Sequence, residues 1–525
     1  VMDLKNYSDL TNETKYEVKN SVFRLFTVVV LVTLQIYFIV RLAYRLSHYS
    51  TWIQTGITFL TLIVVLTIFS RDLNSAYKIP WIMLIMAFPI VGLCLYFLMG
   101  VPYTNIRMKR RFQKVDDELF PLIPQDPEIL NEIEEKDLSV ANIFRYVSNY
   151  ARFPVWSETD ITYYSDALEG LEAQKADLRK AERFIFMEYH AIEDKEAFQG
   201  IKEILIEKVR EGVEVRLFYD DVGSIGFINP DFAYRMEALG IKCRAFNPVM
   251  PLINIFMNNR DHRKITVIDG KVGFTGGYNL ANEYFHITQP YGHWKDTGIR
   301  LEGKAVKNLT VAFLEMWNGA SKNGREDKEL FRYLPDIPYD GVERCYIQPY
   351  GDSPLDKEQT GENVYMSILK DAKKYCYFIT PYLVLTDEMQ REMQMAARRG
   401  VDVRIITPGI PDKKVIYKLT RSFYTRLCKN GVKIFEYRPG FCHAKMCIAD
   451  DHLATVGTIN LDYRSLYLHF ENGCLIYNSH VVEEIRKDFE EMFRECEDVT
   501  TRFSIKRSLP VRAAQCLLRL IAPLL

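Results

Sequence analysis

The order of apolar and polar positions splits the chain into two regimes. In the first hundred residues three uncharged runs follow one another: Leu25 to Val40, flanked by Arg24 and Arg41; Trp52 to Phe69; and Ile79 to Met99. A helix needs about 20 apolar residues to cover a bilayer core. The second and third runs meet that length; the first falls short, with arginines at its ends able to snorkel. A signal peptide would need a small-residue cleavage site after the first run, and Arg41-Leu42-Ala43-Tyr44-Arg45 stands there instead. The pattern therefore predicts a transmembrane region over 25–100, with spans near 25–45, 52–70 and 79–99, after a segment 1–24 outside the membrane.

Past residue 101 the periodicity changes. Pro121 to Leu138 is rich in proline and acids, so 101–138 reads as a linker at the membrane surface. Beyond it, β-rich runs alternate with amphipathic stretches that stop at glycine. Arg183 to Tyr189 is strand-like, Ala197 to Arg210 is helical and capped at Gly212, and Val213 to Tyr219 is the next strand. Asp231 to Leu239 is helical before Gly240, and Ile241 to Phe246 is a further strand. Strand alternating with helix predicts the α/β class, a mixed sheet flanked by helices.

The same order recurs. Tyr377 to Thr380, Glu388 to Arg399 with Gly400, Val401 to Ile406 and Gly431 to Phe435 repeat it at a period of roughly 190 residues, too long for a solenoid and suited to two fused domains. The halves are placed at 139–335 and 336–505, with an amphipathic tail at 506–525. One difference stands between them: the first half inserts the largely apolar Val249 to Asn258, either a cover for the core or a lip touching acyl chains.

Composition narrows the chemistry. A formal net charge of -1 supplies no basic field to gather nucleic acid, which argues against a nuclease. Ten cysteines are scattered without the spacing of a disulfide framework or metal knuckles, and read as reduced core residues.

The candidate chemistry lies in a motif that occurs once per half. His262, Lys264 and Asp269, followed by Gly276-Gly277-Tyr278-Asn279, match His443, Lys445 and Asp450, followed by Gly457-Thr458-Ile459-Asn460, at the same offsets. Asp269-Gly270 is a hairpin turn signal. Folding there places His262 opposite Gly277 and Lys264 opposite Thr275; a turn at Asp450-Asp451 places His443 opposite Thr458 and Lys445 opposite Val456. His and Lys then share one face of a strand. Seven extended residues span about 23 Å, so neither Asp reaches its own His. Asp269 and Asp450 read as turn or inter-half contacts, and other carboxylates must orient the imidazoles. Asp296 and Glu471 hold equivalent places before the final strands, at Gly298 and Gly473.

Two histidines, two lysines and two asparagines facing one site suit a phosphodiester. One imidazole attacks phosphorus, the other protonates the departing alcohol, and Lys264, Lys445, Asn279 and Asn460 stabilise the phosphoryl oxygens. The motif needs no metal or cofactor, and a lysine two residues after each histidine disfavours zinc.

The duplicated His-x-Lys-x4-Asp-x6-Gly-(Gly/Thr)-x-Asn resembles the phospholipase D superfamily. Within it, Asn279 to Tyr284, Trp294 to Thr297, Pro381-Tyr382 and Asn460 to Ser465 with Glu471 are most similar to bacterial cardiolipin synthases. Departures are Thr458, where the family often has Ser, His469, where it often has Asn, and the additional first span. The resemblance implies that one phosphatidylglycerol gives its phosphatidyl group to a histidine, with release of glycerol, and that a second accepts it to form cardiolipin. It also implies His262 as nucleophile and His443 as acid and base. A phospholipase D or a transferase using another alcohol is the alternative; a nuclease or an inactive scaffold is weaker.

Charge sets the expected orientation. Arg107-Met108-Lys109-Arg110-Arg111 follows the third run and Arg41 and Arg45 follow the first, which places both on the cytoplasmic side and the loop Arg71 to Lys78 outside. The expectation is a multi-pass cell-membrane enzyme with its catalytic part inside the cell and anionic phospholipid as partner. In the tail, Arg512 and Arg519 among leucines suit either interfacial lipid contact or a helix resting on the catalytic part. Oligomeric state stays open.

Overall fold

The computed structural model describes scattered positions between 26 and 41, then residues 51–522 apart from 72–73, 98–102, 249–258, 322–326, 337 and 506–507. Part of the first expected span, the segment 1–24 and the apolar insertion at 249–258 lie outside the described residues.

The two halves have one plan. In the first, β1 (Thr159–Tyr164), β2 (Phe184–Tyr189), β3 (Glu214–Asp220), β4 (Lys242–Phe246), β5 (Arg260–Asp261), β6 (Lys264–Ile268), β7 (Val272–Gly276), β8 (His293–Lys295) and β9 (Gly298–Gly303) follow one another. Seven of them form a sheet in the order β1-β9-β7-β6-β2-β3-β4. The second half supplies β10 (Tyr346–Asp352), β11 (Tyr375–Ile379), β12 (Asp402–Pro408), β13 (Lys433–Tyr437), β14 (Gly440–Cys442), β15 (Met446–Ala449), β16 (Leu453–Gly457), β17 (His469–Tyr477) and β18 (Cys496–Asp498). Its order, β10-β17-β16-β15-β11-β12-β13-β18, repeats the first with one added edge strand. The strands joined by crossover helices, β2-β3-β4 and β11-β12-β13, run parallel; the motif hairpins β6-β7 and β15-β16 are antiparallel.

The hairpin register differs from the sequence expectation by one residue. Ile265 pairs with Thr275 and Met446 with Val456, so Lys264 and Lys445 fall level with Gly276 and Gly457. Asp269 and Gly270, and likewise Asp450 and Asp451, adopt positive φ, but the turn bond is donated by the next residue, Lys271 N to Ile268 O at 3.0 Å and His452 N to Ala449 O at 3.2 Å. That residue is left over, and a three-residue loop shifts the pairing.

The expected linker is structured. A helix α4 (Tyr103–Leu119) buries Met108, Phe112, Val115 and Leu119 in the main core, and α5 (Pro127–Lys136) and α6 (Leu138–Tyr146) pack behind it. Pro121 and Pro127 sit at helical starts, where a missing N–H costs nothing. Phe112 stacks on Phe470 at 5.1 Å.

Between residues 51 and 95 the apolar region forms the helices α1 (Thr51–Ser70), α2 (Ser75–Ala87) and α3 (Pro89–Leu95), and the described positions between 26 and 41 are also helical. The run expected to span at 79–99 instead doubles back at Phe88. Trp81 and Tyr96 meet edge to face at 5.4 Å, and a Cβ on Gly92 would lie 2.6 Å from Ile85 Cα. Pro89 cannot continue the ladder of α2, and Gly92 lets the returning backbone approach. Among the described residues no helix is long and apolar enough to cross a membrane. The expected outward loop also touches the second half: Asn74 Nδ2 donates to Tyr467 Oη at 3.2 Å. It therefore lies on the same side as the catalytic sheets.

Candidate active site

The motif histidines are set by strand pairing across the seam of the two halves. β5, just before His262, runs parallel to the start of β17, with Arg260 against His469 and Asp261 against Phe470; His262 N then donates to Phe470 O at 2.8 Å. β14, just before His443, runs parallel to β8, with Cys442 against Lys295; His443 N donates to Lys295 O at 2.7 Å. The residue after each acceptor is a carboxylate. His262 Nδ1 lies 2.8 Å from Glu471 Oε2, and His443 Nδ1 lies 2.7 Å from Asp296 Oδ2. Each histidine is thus held by the carboxylate of the opposite half, leaving both Nε2 atoms for chemistry.

The glycine and threonine of the motif explain why the two pairs are not identical. A Cβ on Gly277 would lie 2.0 Å from Asp296 Oδ1, so only glycine leaves that carboxylate its place. At the equivalent Thr458 the hydroxyl donates to Glu471 Oε2 at 2.5 Å. The shells around the rings also differ. His262 sits between two imidazoles, His190 at 4.8 Å and His469 at 5.6 Å between centroids, whereas His443 is enclosed by Tyr284, Trp294 and Phe441.

Both lysines turn back toward the histidine backbone: Lys264 Nζ donates to His262 O at 2.6 Å, and Lys445 Nζ reaches His443 O and lies 2.7 Å from His443 Nδ1. Burial, with the lysines next, holds the proton affinity of both histidines well below the usual imidazole range, so both are neutral when the site is empty. Burial also pushes Lys264 down to about 8 and Lys445 to about 7, and raises Asp296 to about 6. Asn279 Nδ2 donates to Tyr284 Oη at 2.8 Å, while Asn460 Oδ1 is buried without a partner.

Asp269 and Asp450 stand elsewhere. Asp269 accepts from the backbone N–H groups of Glu182, Arg183 and Phe184 at 2.7–2.9 Å, and Asp450 from those of Lys373, Lys374 and Tyr375 at 2.6–2.8 Å. Each clamps its hairpin to the start of the first parallel strand of its own half. They make no inter-half contact of the kind the sequence allowed.

Sequence reasoning missed His190, whose Nδ1 accompanies Asp261 O at 2.6 Å, and Arg263. Arg263 is buried; its Nε donates to Glu471 O at 3.1 Å and its Nη1 to Glu315 Oε2 at 2.9 Å. The available signal was position: His190 follows β2 where Thr380-Pro381-Tyr382 follows β11, and Arg263 occupies the x of His-x-Lys. Potential metal ligands converge at His262, His469 and Glu471, and at Asp166, His286 and His293. The first set is the hydrogen-bond network of His262 beside Lys264. In the second, His286 Nε2 meets Asp166 Oδ2 at 2.8 Å and His293 Nδ1 meets Tyr437 Oη at 2.9 Å, so both are partnered within the protein.

The chain is similar to known proteins over most of its length. Residues 365–493 match the family model described as cardiolipin synthase, PLD-like domain, and residues 56–100 match the one described as Phospholipase_D-nuclease N-terminal. The chain is 31% identical to cardiolipin synthase 2 of Bacillus anthracis over 87% of its own length and 88% of the relative's. It is 32% identical to the cardiolipin synthase of Geobacillus kaustophilus over 91% and 94%. Among solved structures, the phosphatidylserine synthase of Haemophilus influenzae superposes with a TM-score of 0.56 at 15% identity, covering 73% of this chain and all of that one; the likeness is of fold.

Proposed function

From the premise that the chain belongs to the cardiolipin synthase family of phospholipase D-like phosphatidyltransferases, we propose that it joins two phosphatidylglycerols through a phosphatidyl-histidine. The observation that carries this reading is the crossed pair of histidine–carboxylate contacts, which supplies two imidazoles with free Nε2 atoms at one seam.

His262 Nε2 attacks phosphorus while its Nδ1–H is held by Glu471, and the P–O bond to glycerol breaks. His443 gives its proton to the departing oxygen, so free glycerol leaves. A primary hydroxyl of the second phosphatidylglycerol returns that proton to His443 and attacks phosphorus; the N–P bond breaks and cardiolipin leaves. The bound phosphodiester carries the negative charge that lets His443 hold a proton at neutral pH, and Asp296, its affinity raised to about 6, stands beside it. Lys264, Lys445 and the two asparagines face the phosphoryl oxygens, whose charge grows at the transition state.

The N-terminal helices fit membrane attachment. Their outward side chains are large and apolar, with Trp52, Phe59 and Phe69 at least 65% exposed. The cluster α1–α3 inserts from the side on which the catalytic halves lie, and the basic residues 107–111 face anionic head groups on the cytoplasmic leaflet.

The deciding experiment supplies the purified chain with phosphatidylglycerol alone in mixed micelles. Cardiolipin and glycerol in equal amounts are expected; phosphatidic acid in place of cardiolipin would sink the transferase reading. The pH profile of kcat/KM in the same assay is expected to rise as Asp296 ionises near 6 and to fall as Lys445 and Lys264 lose their protons near 7 and 8. Arginine at 445 stays charged, so Lys445→Arg is expected to carry the alkaline limb up to the loss at Lys264 near 8.

A further inference from the structure

The tail helix borders a groove lined by cations. The helix Leu509–Ile521 lies beside Lys414–Cys428, and the groove between them, about 430 Å³, is lined by Arg426, Lys429, Arg512 and Arg519 with Thr425 and Gln515. Arg519 is seated by the helix Lys414–Cys428: its Nε donates to Ser422 Oγ at 3.1 Å and its guanidinium covers the Phe423 ring at 4.4 Å. The nearest carboxylate contact among these four cations is from Arg426 to the exposed Asp387 at 3.4 Å. Thr425 Oγ1 is buried without a hydrogen-bond partner.

Four cations gathered in one groove repel one another unless a counter-charge enters it. The groove's surroundings say what brings that charge. The same helix exposes Leu509, Val511 and Leu517 and touches α2 of the apolar cluster. A ligand here has a phosphate for the arginines and apolar chains for the flanking leucines.

We propose that this groove holds the phosphate of an anionic phospholipid, separate from the catalytic phosphodiester, and so ties the tail helix to the membrane face. Arg519 and Arg426 pair with the phosphate oxygens, Thr425 donates its free hydroxyl, and Lys429 and Arg512 close the rim. The position of the groove at the membrane face rests on the membrane reading above; the phosphate site rests on the cations alone.

The test is native mass spectrometry of the full chain in detergent with cardiolipin added. The His262→Ala, His443→Ala background prevents turnover, and Lys429→Glu, Arg512→Glu is compared within it, since both side chains are exposed and their change leaves the fold standing. One retained cardiolipin per chain is expected in the background, with at least a tenfold weaker retention in the groove variant at equal melting temperature. Equal retention in the two overturns the proposal. So does displacement by millimolar inorganic phosphate, which would mark a free-anion site. Turnover of phosphatidylglycerol by the wild-type chain, measured in parallel, reports on the catalytic reading separately.

Discussion

His262→Ala is expected to lower the transfer rate by at least about 10⁴-fold, because it removes the atom that forms the covalent bond to phosphorus. The fold should hold: His262 lies outside β6, and its backbone bond to Phe470 is independent of the side chain. Rapid mixing with radiolabelled phosphatidylglycerol followed by an alkaline quench should trap the phosphatidyl group on His262. An adduct mapped to His443 would exchange the two roles.

The carboxylates give the second large effect. Asp296→Asn and Glu471→Gln are each expected to cost about 10²–10⁴ in kcat, since an amide no longer fixes the imidazole tautomer. The pairing across the seam makes the outcome specific. Glu471→Gln, a change in the second half, should slow adduct formation on the histidine of the first. Asp269→Asn should keep kcat and instead lower stability by about 1–3 kcal/mol, because it weakens an acceptor shared by three backbone N–H groups. Calorimetry and single-turnover kinetics on the same preparations separate the cases. If Asp269→Asn reduced kcat more than Asp296→Asn at equal melting temperature, the assignment of the orienting carboxylates would be wrong.

Much of this was legible because the chemistry is written twice. The matched offsets of His, Lys and Asn, and the distance argument that sends each motif Asp away, depend only on strand geometry. The crossing was not legible. It is fixed by β5 on β17 and β8 on β14, pairings of two or three residues between segments about 150 to 200 positions apart, and short strands leave no periodic trace. His190 escaped because a lone histidine after a strand has no pattern to distinguish it from a core residue. The doubling back at Phe88 escaped because hydropathy reads Ile79 to Met99 identically whether the run continues or returns; Pro89 and Gly92 were the only marks of the bend. The hairpin shift of one residue turned on which N–H closes the turn, a choice the pair Asp269-Gly270 does not announce.

The stacking of Phe112 on Phe470 sets where the enzyme can be cut. The ring is pressed against Gly319, where a Cβ would meet it at 2.7 Å, and it supports the residue whose successor holds His262. A detergent-free catalytic fragment must therefore begin ahead of Tyr103. One begun at residue 139, where sequence alone would place the globular border, sheds a wall of its own active site.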